Sequence, residues 1–155
     1  MLRIVLDPQK CVGCRVCEGI CSLVNEGEAN PEKSRIKVIR TIDDCLLYSI
    51  PVFCQQCEEP QCKAVCPNLA ISRNNNGVML VDDEKCIGCR LCEMACPVGA
   101  ISVNPTKHVA IKCTQCESIG EPQCVKHCYP KALQLLPAES VGRTVARARA
   151  HKLLL

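Results

Sequence analysis

The sequence predicts a small α+β fold, in which short strands and short helices form two modules of similar design. Three observations carry this prediction. Sixteen of the 17 cysteines fall into four compact groups, the groups alternate in type along the chain, and polar turn residues separate short apolar segments. The chain has 155 residues but only two Tyr, one Phe and no Trp. Because large core-filling side chains are scarce, we expect groups held by the cysteines to complete the interior.

The cysteine groups form an internal repeat. Their members are, in chain order, Cys11, Cys14, Cys17 and Cys21; Cys54, Cys57, Cys62 and Cys66; Cys86, Cys89, Cys92 and Cys96; and Cys113, Cys116, Cys124 and Cys128. The first group, KCVGCRVCEGIC, matches the third, KCIGCRLCEMAC. The second, CQQCEEPQCKAVC, matches the fourth, CTQCESIGEPQCVKHC, which is three residues longer. The order A-B-A-B indicates a duplicated unit of two groups.

The spacing within a group favours iron over zinc. Structural zinc sites more often use separated CxxC pairs, whereas C-x2-C-x2-C-x3-C-P is the ligand run of bacterial [4Fe–4S] ferredoxins. The third group fits this run as far as Pro97. We therefore expect [4Fe–4S] clusters, and sixteen cysteines suffice for four of them.

The last two cysteines of every group are four residues apart, which places them on one face of a helical turn. In two-cluster ferredoxins the fourth cysteine ligates the other cluster, so each turn would hold two clusters close together. Each group would then supply its fourth cysteine to the cluster of another group, so the four groups would form two pairs. The turn-and-strand connection between groups two and three favours a nested pairing, while the A-B-A-B repeat equally suits a sequential one, and spacing alone leaves both open.

The connecting segments predict a few further elements. Proline just after the fourth cysteine of three groups ends the helical turn, but the first group has Ser22 there. Residues 25–34 predict a polar loop, and the alternation in 35–42 predicts a half-exposed strand. The run Asn74–Gly77 predicts a turn between two short strands. Residues 138–155 predict either an amphipathic helix lying on this protein or a partner, or a disordered end.

Other classes of protein fit poorly. No secretion signal is recognised at the N-terminus, so we expect a cytoplasmic protein in which structural disulfides are disfavoured. No run of 18 apolar residues predicts a membrane span. The formal charge is +3, but thiolate-bound clusters add negative charge and basic–aromatic patches are missing, so nucleic-acid binding is not expected.

With these four motifs in this order, the chain to about residue 137 resembles the four-cluster, ferredoxin-like iron–sulfur subunits of oxidoreductase complexes. That family includes the beta subunits of formate dehydrogenase and dimethyl sulfoxide reductase, and compact partners of tungsten aldehyde oxidoreductase and carbon monoxide dehydrogenase. The resemblance implies two ferredoxin-like modules: residues 1–50 with 105–137 outside, and the inserted residues 51–104, followed by the basic tail. It implies nested ligand sets: Cys11, Cys14, Cys17 and Cys128; Cys21, Cys113, Cys116 and Cys124; Cys54, Cys57, Cys62 and Cys96; Cys66, Cys86, Cys89 and Cys92.

We therefore expect a non-catalytic subunit that relays electrons between a large catalytic subunit and an external redox partner, such as a further redox subunit or a soluble ferredoxin. Its compact form favours a tungsten or molybdenum aldehyde oxidoreductase as the catalytic partner. The alternatives are the iron–sulfur partner of carbon monoxide dehydrogenase, formate dehydrogenase or hydrogenase, a freestanding polyferredoxin, and a structural zinc-binding module. Self-association into a chain is a further expectation left open.

Several residues outside the ligand sets have two interpretations. Cys45 is interpreted as a buried apolar thiol, or as a thiol with a reactive or cluster-related role. A lysine directly precedes the first cysteine in three groups: Lys10, Lys85 and Lys112. These lysines are interpreted either as ordinary surface residues or as positive charges that raise the reduction potential of a cluster. His127 is interpreted as a surface residue, or as a donor to a cluster sulfur. The three arginines of the tail are interpreted as a solvated face or a docking surface: Arg143, Arg147 and Arg149.

Overall fold

The computed structural model describes residues 2–43 and 46–142. It is a small α+β structure with eight short strands and four helices among the described residues up to 137. The elements are, in chain order, β1 Leu2–Leu6, α1 Val16–Glu26, a 3₁₀ turn at Pro31–Lys33, β2 Ile36–Asp43, β3 Leu46–Phe53, α2 Gln61–Ala64, β4 Ile71–Arg73, β5 Met79–Val81, α3 Leu91–Ala95, β6 Ile101–Val103, β7 Ala110–Lys112, α4 Gln123–Lys126 and β8 Leu133–Pro137.

The strands form four separate two-stranded antiparallel sheets. Three of the sheets are hairpins of consecutive strands: β2–β3, β4–β5 and β6–β7. The fourth joins the two ends of the described chain, with Leu2 opposite Pro137 and Leu6 opposite Leu133. The chain therefore closes on itself around its middle segments.

The helices pack in the same nested order as this sheet. Helix α1 contacts α4, and α2 contacts α3. Each helix pair covers its own apolar cluster: one is centred on Ile4, Phe53 and Leu133, the other on Ile71 and Met79. The described chain thus has an outer and an inner core, and the division into residue ranges given above stays a prediction.

The hairpin around Asn74–Gly77 is confirmed, since β4 and β5 flank it. Gly77 has φ +81°, and the Asn74 side chain accepts the backbone N–H of Val78 at 2.8 Å. The strand predicted at 35–42 is also confirmed as β2, one residue later. Its partner β3 was not predicted, because Pro51 interrupts the apolar pattern, but in a two-stranded sheet every strand is an edge strand and tolerates proline.

Helix α1 is longer than the other three, and Ser22 accounts for the difference. Where the second and third groups have Pro67 and Pro97, the helix ends before or at the fourth cysteine. Ser22 instead continues the helix through Cys21 to Glu26. Gly27 ends α1 in the left-handed region, at φ 76°, with its N–H donating to the Leu23 carbonyl.

The C-terminal tail is described only in part. Residues 138–142 are helical, and the remainder, with its three arginines, lies outside the described residues. Cys45 lies outside them as well. No helix among the described residues combines the length and apolar character needed to cross a bilayer.

Candidate iron–sulfur sites

Four cavities of similar size, each lined by four cysteines, are the main feature of the structure. Each encloses about 340 to 370 Å³ of empty space, counting the part open to solvent. Their cysteines are, for cavity I, Cys11, Cys14, Cys17 and Cys128; for cavity II, Cys21, Cys113, Cys116 and Cys124; for cavity III, Cys54, Cys57, Cys62 and Cys96; for cavity IV, Cys66, Cys86, Cys89 and Cys92.

The structure therefore brings together all sixteen grouped cysteines in sets of three plus one. The three come from one group, and the fourth comes from the group whose helix packs against it. The sets are the same as those of the nested pairing, and ligation of a cluster by each set stays a prediction.

Tight loops at the A-type groups depend on glycine. Gly13 and Gly88 have φ +65° and +66°, a region that favours glycine. A Cβ at Gly13 would overlap the Ser49 hydroxyl, and one at Gly88 would overlap the carbonyl oxygen of His108. The missing side chains let these loops wrap closely around cavities I and IV.

The B-type groups place glutamine at the equivalent position. Gln56 and Gln115 have φ +53° and +55°. Their backbone N–H groups donate to the sulfurs of Cys54 and Cys113, each at 3.4 Å. This turn presents a donor to the first thiol of the group.

The fourth cysteines also receive hydrogen bonds. Backbone N–H groups of Ala70, Ala100 and Leu133 donate to the sulfurs of Cys66, Cys96 and Cys128 at 3.3 to 3.4 Å. In the first group, which lacks the proline turn, the Asn25 side-chain amide lies 3.7 Å from the Cys21 sulfur. Such N–H···S bonds orient thiolate ligands and stabilise their negative charge.

Solvent exposure differs systematically between the cavities. All four cysteines of cavity II are buried, whereas Cys14 of cavity I and Cys89 of cavity IV are exposed. The sulfur ligands of cavity II are therefore shielded from solvent, whereas cavities I and IV each have a cysteine at the surface.

Burial governs the acidity of the unligated thiols. It raises the pKa of Cys17 and of Cys113 to about 12, and that of Cys92 to about 11. For Cys17 the neighbouring Glu18 carboxylate adds to the effect. Burial likewise raises the pKa of Cys21, where the backbone N–H of Arg35 acts in the opposite direction. Iron bound to these sulfurs would displace their protons.

The donor sets fit an iron–sulfur cluster. Each consists of four cysteine sulfurs around one space, which is the ligand set of [4Fe–4S]. Within residues 2–43 and 46–142, no three Cys, His, Asp or Glu side chains are arranged to hold a single metal ion. In cavity II, the Nε of Arg35 is buried and has no hydrogen-bond partner, as expected beside a group that accepts hydrogen bonds.

The three lysines that precede cysteine groups differ in their surroundings. Lys10 and Lys85 are exposed and pair with Asp7 and Asp82, at 3.2 and 2.8 Å. Lys112 is 1 % exposed, lines cavity III and donates to the carbonyl oxygens of Met79 and Cys113 at 2.5 and 3.2 Å. Of the three, only Lys112 places a buried positive charge beside a candidate cluster.

Gln56 was not predicted from the sequence, although it links the two cores. It is 1 % exposed. Its side-chain amide donates to the Cys113 carbonyl at 2.8 Å and accepts the N–H of Met79 at 2.8 Å. Glutamine recurs at the third position of both B-type groups, and that recurrence is the sequence signal that could have identified it.

The interpretation of His127 as a sulfur donor is not supported by its contact. Its ring Nδ1 lies 3.0 Å from the Gln123 carbonyl oxygen, within the same helical turn.

More than half of the sequence matches a known protein family. The sequence model of that family, described as the 4Fe-4S dicluster domain, matches residues 45–137. This range includes three of the four cysteine groups.

Curated relatives match over most of the chain. A putative electron transport protein of Escherichia coli is 41% identical over 151 residues, covering 90% of this chain and 92% of the relative. One subunit of anaerobic dimethyl sulfoxide reductase, also from Escherichia coli, is 32% identical over 154 residues, covering 89% and 74%. These matches confirm the family resemblance recognised in the sequence.

Among solved structures, a polypeptide in the active-site complex BamBC of benzoyl coenzyme A reductase is similar. It has a TM-score of 0.53 and 25% identity, covering 94% of this chain and 86% of that one. Electron-transfer proteins and subunits of oxidoreductase complexes therefore recur among the proteins that this chain resembles.

Proposed function

The chain belongs to the 4Fe-4S dicluster domain family and carries [4Fe–4S] clusters, and from this premise we propose that it holds four of them and relays single electrons. The electrons pass between a large catalytic subunit and an external redox partner. The protein itself performs no bond-making chemistry, because the clusters supply the redox step and the chain positions and tunes them.

The four cysteine-lined cavities carry this proposal. Each offers four sulfurs, so the sixteen cysteines would ligate four clusters with none left over. Cavities I and II draw their cysteines from the first and fourth groups, while III and IV draw theirs from the second and third. The proposal therefore includes two bis-cluster modules, one nested in the other.

The order of the relay follows from burial. All four cysteines of cavity II are buried, and this cavity is linked to cavity III through the contacts of Gln56 and Lys112 with Cys113. Electrons would enter at one exposed end, beside Cys14 or Cys89, and leave at the other. Small, transient contacts at the two ends suffice for such transfer.

Anaerobic purification tests the cluster content. We expect about sixteen iron and sixteen sulfide per chain, broad visible absorption that bleaches on reduction, and spectra of interacting [4Fe–4S]¹⁺ centres in electron paramagnetic resonance. Zinc in place of iron, without acid-labile sulfide, would refute the proposal and favour a structural zinc-binding module.

The catalytic partner is proposed to be a large oxidoreductase subunit, because the chain matches proteins of oxidoreductase complexes over nearly its whole length. A tungsten or molybdenum enzyme is proposed from the family resemblance of the cysteine motifs. Isolation of the native protein under anaerobic conditions tests this. Co-purification of a large subunit containing either metal supports it. Recovery of the protein alone supports a freestanding polyferredoxin, and recovery of a concentration-dependent oligomer supports self-association.

Lysine crosslinking of that complex would locate its contact. Lys10 lies beside Cys11 and Lys85 beside Cys86, and both side chains are more than half exposed, at 51% and 62%. Crosslinks from the partner to one of them, with the other free, fit a relay with two ends. Crosslinks to neither lysine, in a complex that crosslinks elsewhere, would contradict the assignment.

A further inference from the structure

Arg35 has one hydrogen-bonding group that the protein leaves unused. It lies between the 3₁₀ turn and β2, and it lines cavity II together with the four cysteines. Its side chain is 20% exposed. Among the described residues, its Nε is the one buried side-chain nitrogen or oxygen without a hydrogen-bond partner.

The other two nitrogens of the guanidinium are engaged. Nη1 donates to the Thr114 hydroxyl at 3.3 Å, and Nη2 donates to Glu26 Oε1 at 3.5 Å. Thr114 directly follows Cys113 in the chain. These two contacts fix the plane of the guanidinium beside the cavity.

Glu26 neutralises this charge only in part. Its side chain is 4% exposed, and its second oxygen accepts from Lys107 at 2.8 Å and from Asn104 at 3.3 Å. Two cations therefore share one buried carboxylate. The guanidinium remains protonated at all ordinary pH values, so the local excess of positive charge is permanent.

An unused donor of this kind calls for a partner. The large majority of buried side-chain polar atoms in proteins are hydrogen-bonded, and a buried donor left unsatisfied is unfavourable, the more so when it is charged. The space that Arg35 shares with Cys21, Cys113 and Cys124 offers sulfur acceptors once a cluster is bound.

We propose that the Nε–H of Arg35 donates to a sulfur of the [4Fe–4S] cluster in cavity II and raises the reduction potential of that cluster. The inference rests on the proposed function. One-electron reduction from [4Fe–4S]²⁺ to [4Fe–4S]¹⁺ adds one negative charge and breaks no bond. A charged donor to sulfur stabilises the reduced state more than the oxidised state. Arg35 is thus a tuning residue for the cluster whose four cysteines are all buried.

Redox titration of three variants, followed by electron paramagnetic resonance, tests the proposal. Arg35→Gln removes the charge and the Nε–H, and we expect about a tenfold fall in the reduced-to-oxidised ratio of one cluster at a fixed potential, which is 59 mV for a one-electron couple. Arg35→Lys keeps the charge but loses the Nε–H, and a smaller fall is expected. Glu26→Gln removes the shared counter-charge, and the ratio of the same cluster should rise.

Reduction potentials that shift in opposite directions in the Arg35 and Glu26 variants distinguish tuning from a structural role. If Arg35 were only structural, its replacement would cause loss of clusters without these opposite shifts. Lys33→Gln is the matched control: it removes a cation two residues away that pairs with Glu28, and all potentials should stay unchanged. Iron and sulfide are counted in each variant. If the Arg35→Gln variant loses its cluster, the reduction potentials of the Arg35→Lys and Glu26→Gln variants still test the proposal.

The outcomes also separate this inference from the proposed function. If the wild-type protein holds no [4Fe–4S] clusters, the proposed function itself is wrong. If four clusters titrate and the loaded Arg35 and Glu26 variants match the wild type, only the role of Arg35 is overturned.

Discussion

Gly88 lies so close to the carbonyl oxygen of His108 that a Cβ atom at residue 88 would overlap it. Gly99 has almost the same backbone conformation, with φ +67° against +66°. A Cβ at Gly99, however, would meet nothing within 4 Å. Comparison of substitutions at the two glycines therefore distinguishes the effect of a close backbone contact from the effect of a left-handed backbone conformation alone.

We expect Gly88→Ala to release the cluster of cavity IV. The left-handed conformation alone costs an alanine about 1–2 kcal/mol, and the overlap with His108 also forces the loop apart. Gly99→Ala should show only the former cost and retain full iron. Iron and sulfide per chain, with the thermal stability of each variant, provide the measurement. Equal iron content in both variants would contradict the role given to the close approach.

Replacement of Lys112 should lower the potential of one cluster. Lys112→Met keeps the volume but removes a buried positive charge that lines cavity III. The reduced state loses more stabilisation than the oxidised state, and we expect a fall on the order of 60 mV, equivalent to a tenfold change for one electron. Lys85→Met is the control, because Lys85 is exposed and paired with Asp82. A redox titration in which both variants behave alike would count against this assignment.

Gln56→Met should weaken the connection between the two cores. The N–H of Met79 loses its acceptor, which costs about 1–3 kcal/mol for a buried group, while the Cys113 carbonyl keeps Lys112. The guanidinium concentration that bleaches half of the visible absorption should fall. Gln55→Met makes the same change at the exposed neighbour and should leave this concentration nearly unchanged.

Ser22→Pro should destabilise the protein, although proline follows the fourth cysteine in the second and third groups. A proline inside α1 removes a helical hydrogen bond and costs about 3 kcal/mol. It also removes the hydroxyl that accepts the N–H of Asn30 at 3.1 Å. Ser22→Ala loses the hydroxyl but preserves the helix, so a smaller loss is expected in the same bleaching assay. Equal losses for the two variants would mean that the helical continuation contributes little.

Cluster removal should depend on pH. In the cluster-free protein, burial raises the pKa of Cys17 and Cys113 to about 12. These thiols are therefore protonated throughout the range below that value, and cluster loss must take up protons that binding released. Chelator extraction of iron should become easier as the pH falls. The pH dependence of the chelator itself is measured with free iron and used as the correction. If the corrected chelator concentration that extracts half of the iron does not depend on pH, the coupling of cluster loss to proton uptake is contradicted.

Particular residues illustrate what the sequence could predict. Each cavity takes three cysteines from one group, as the spacing predicts, because ligand spacing is a local property of the chain. Which group supplies the fourth cysteine was implied only by the family resemblance, because that contact joins distant segments. The turn at Asn74–Gly77 and the strand β2 were predictable for the same reason. Lys10, Lys85 and Lys112 look alike in sequence, yet only tertiary packing buries Lys112.

Arg35 and Gln56 were missed for a related reason. Both act through contacts with residues that are far away in the chain, Thr114 and Cys113. Arg35 lies outside the cysteine groups, and although glutamine recurs within both B-type groups, that local pattern does not report the distant partners of Gln56. Strand β3 was missed because Pro51 interrupts its apolar pattern, and only its pairing with β2 shows that the segment is a strand.

The pairing of β1 with β8 has a consequence for biogenesis. Because Leu2 lies opposite Pro137, the cysteines near the start of this sequence meet the fourth member of their cavity, Cys128, only after most of the described chain has been synthesised. The inner hairpins can close much earlier, since their contacts are short in sequence. During synthesis, the N-terminal thiols Cys11, Cys14 and Cys17 thus stay without their fourth member while the middle of the molecule is already assembled. Delivery of iron and sulfide to the newly made chain should therefore proceed from the centre outward.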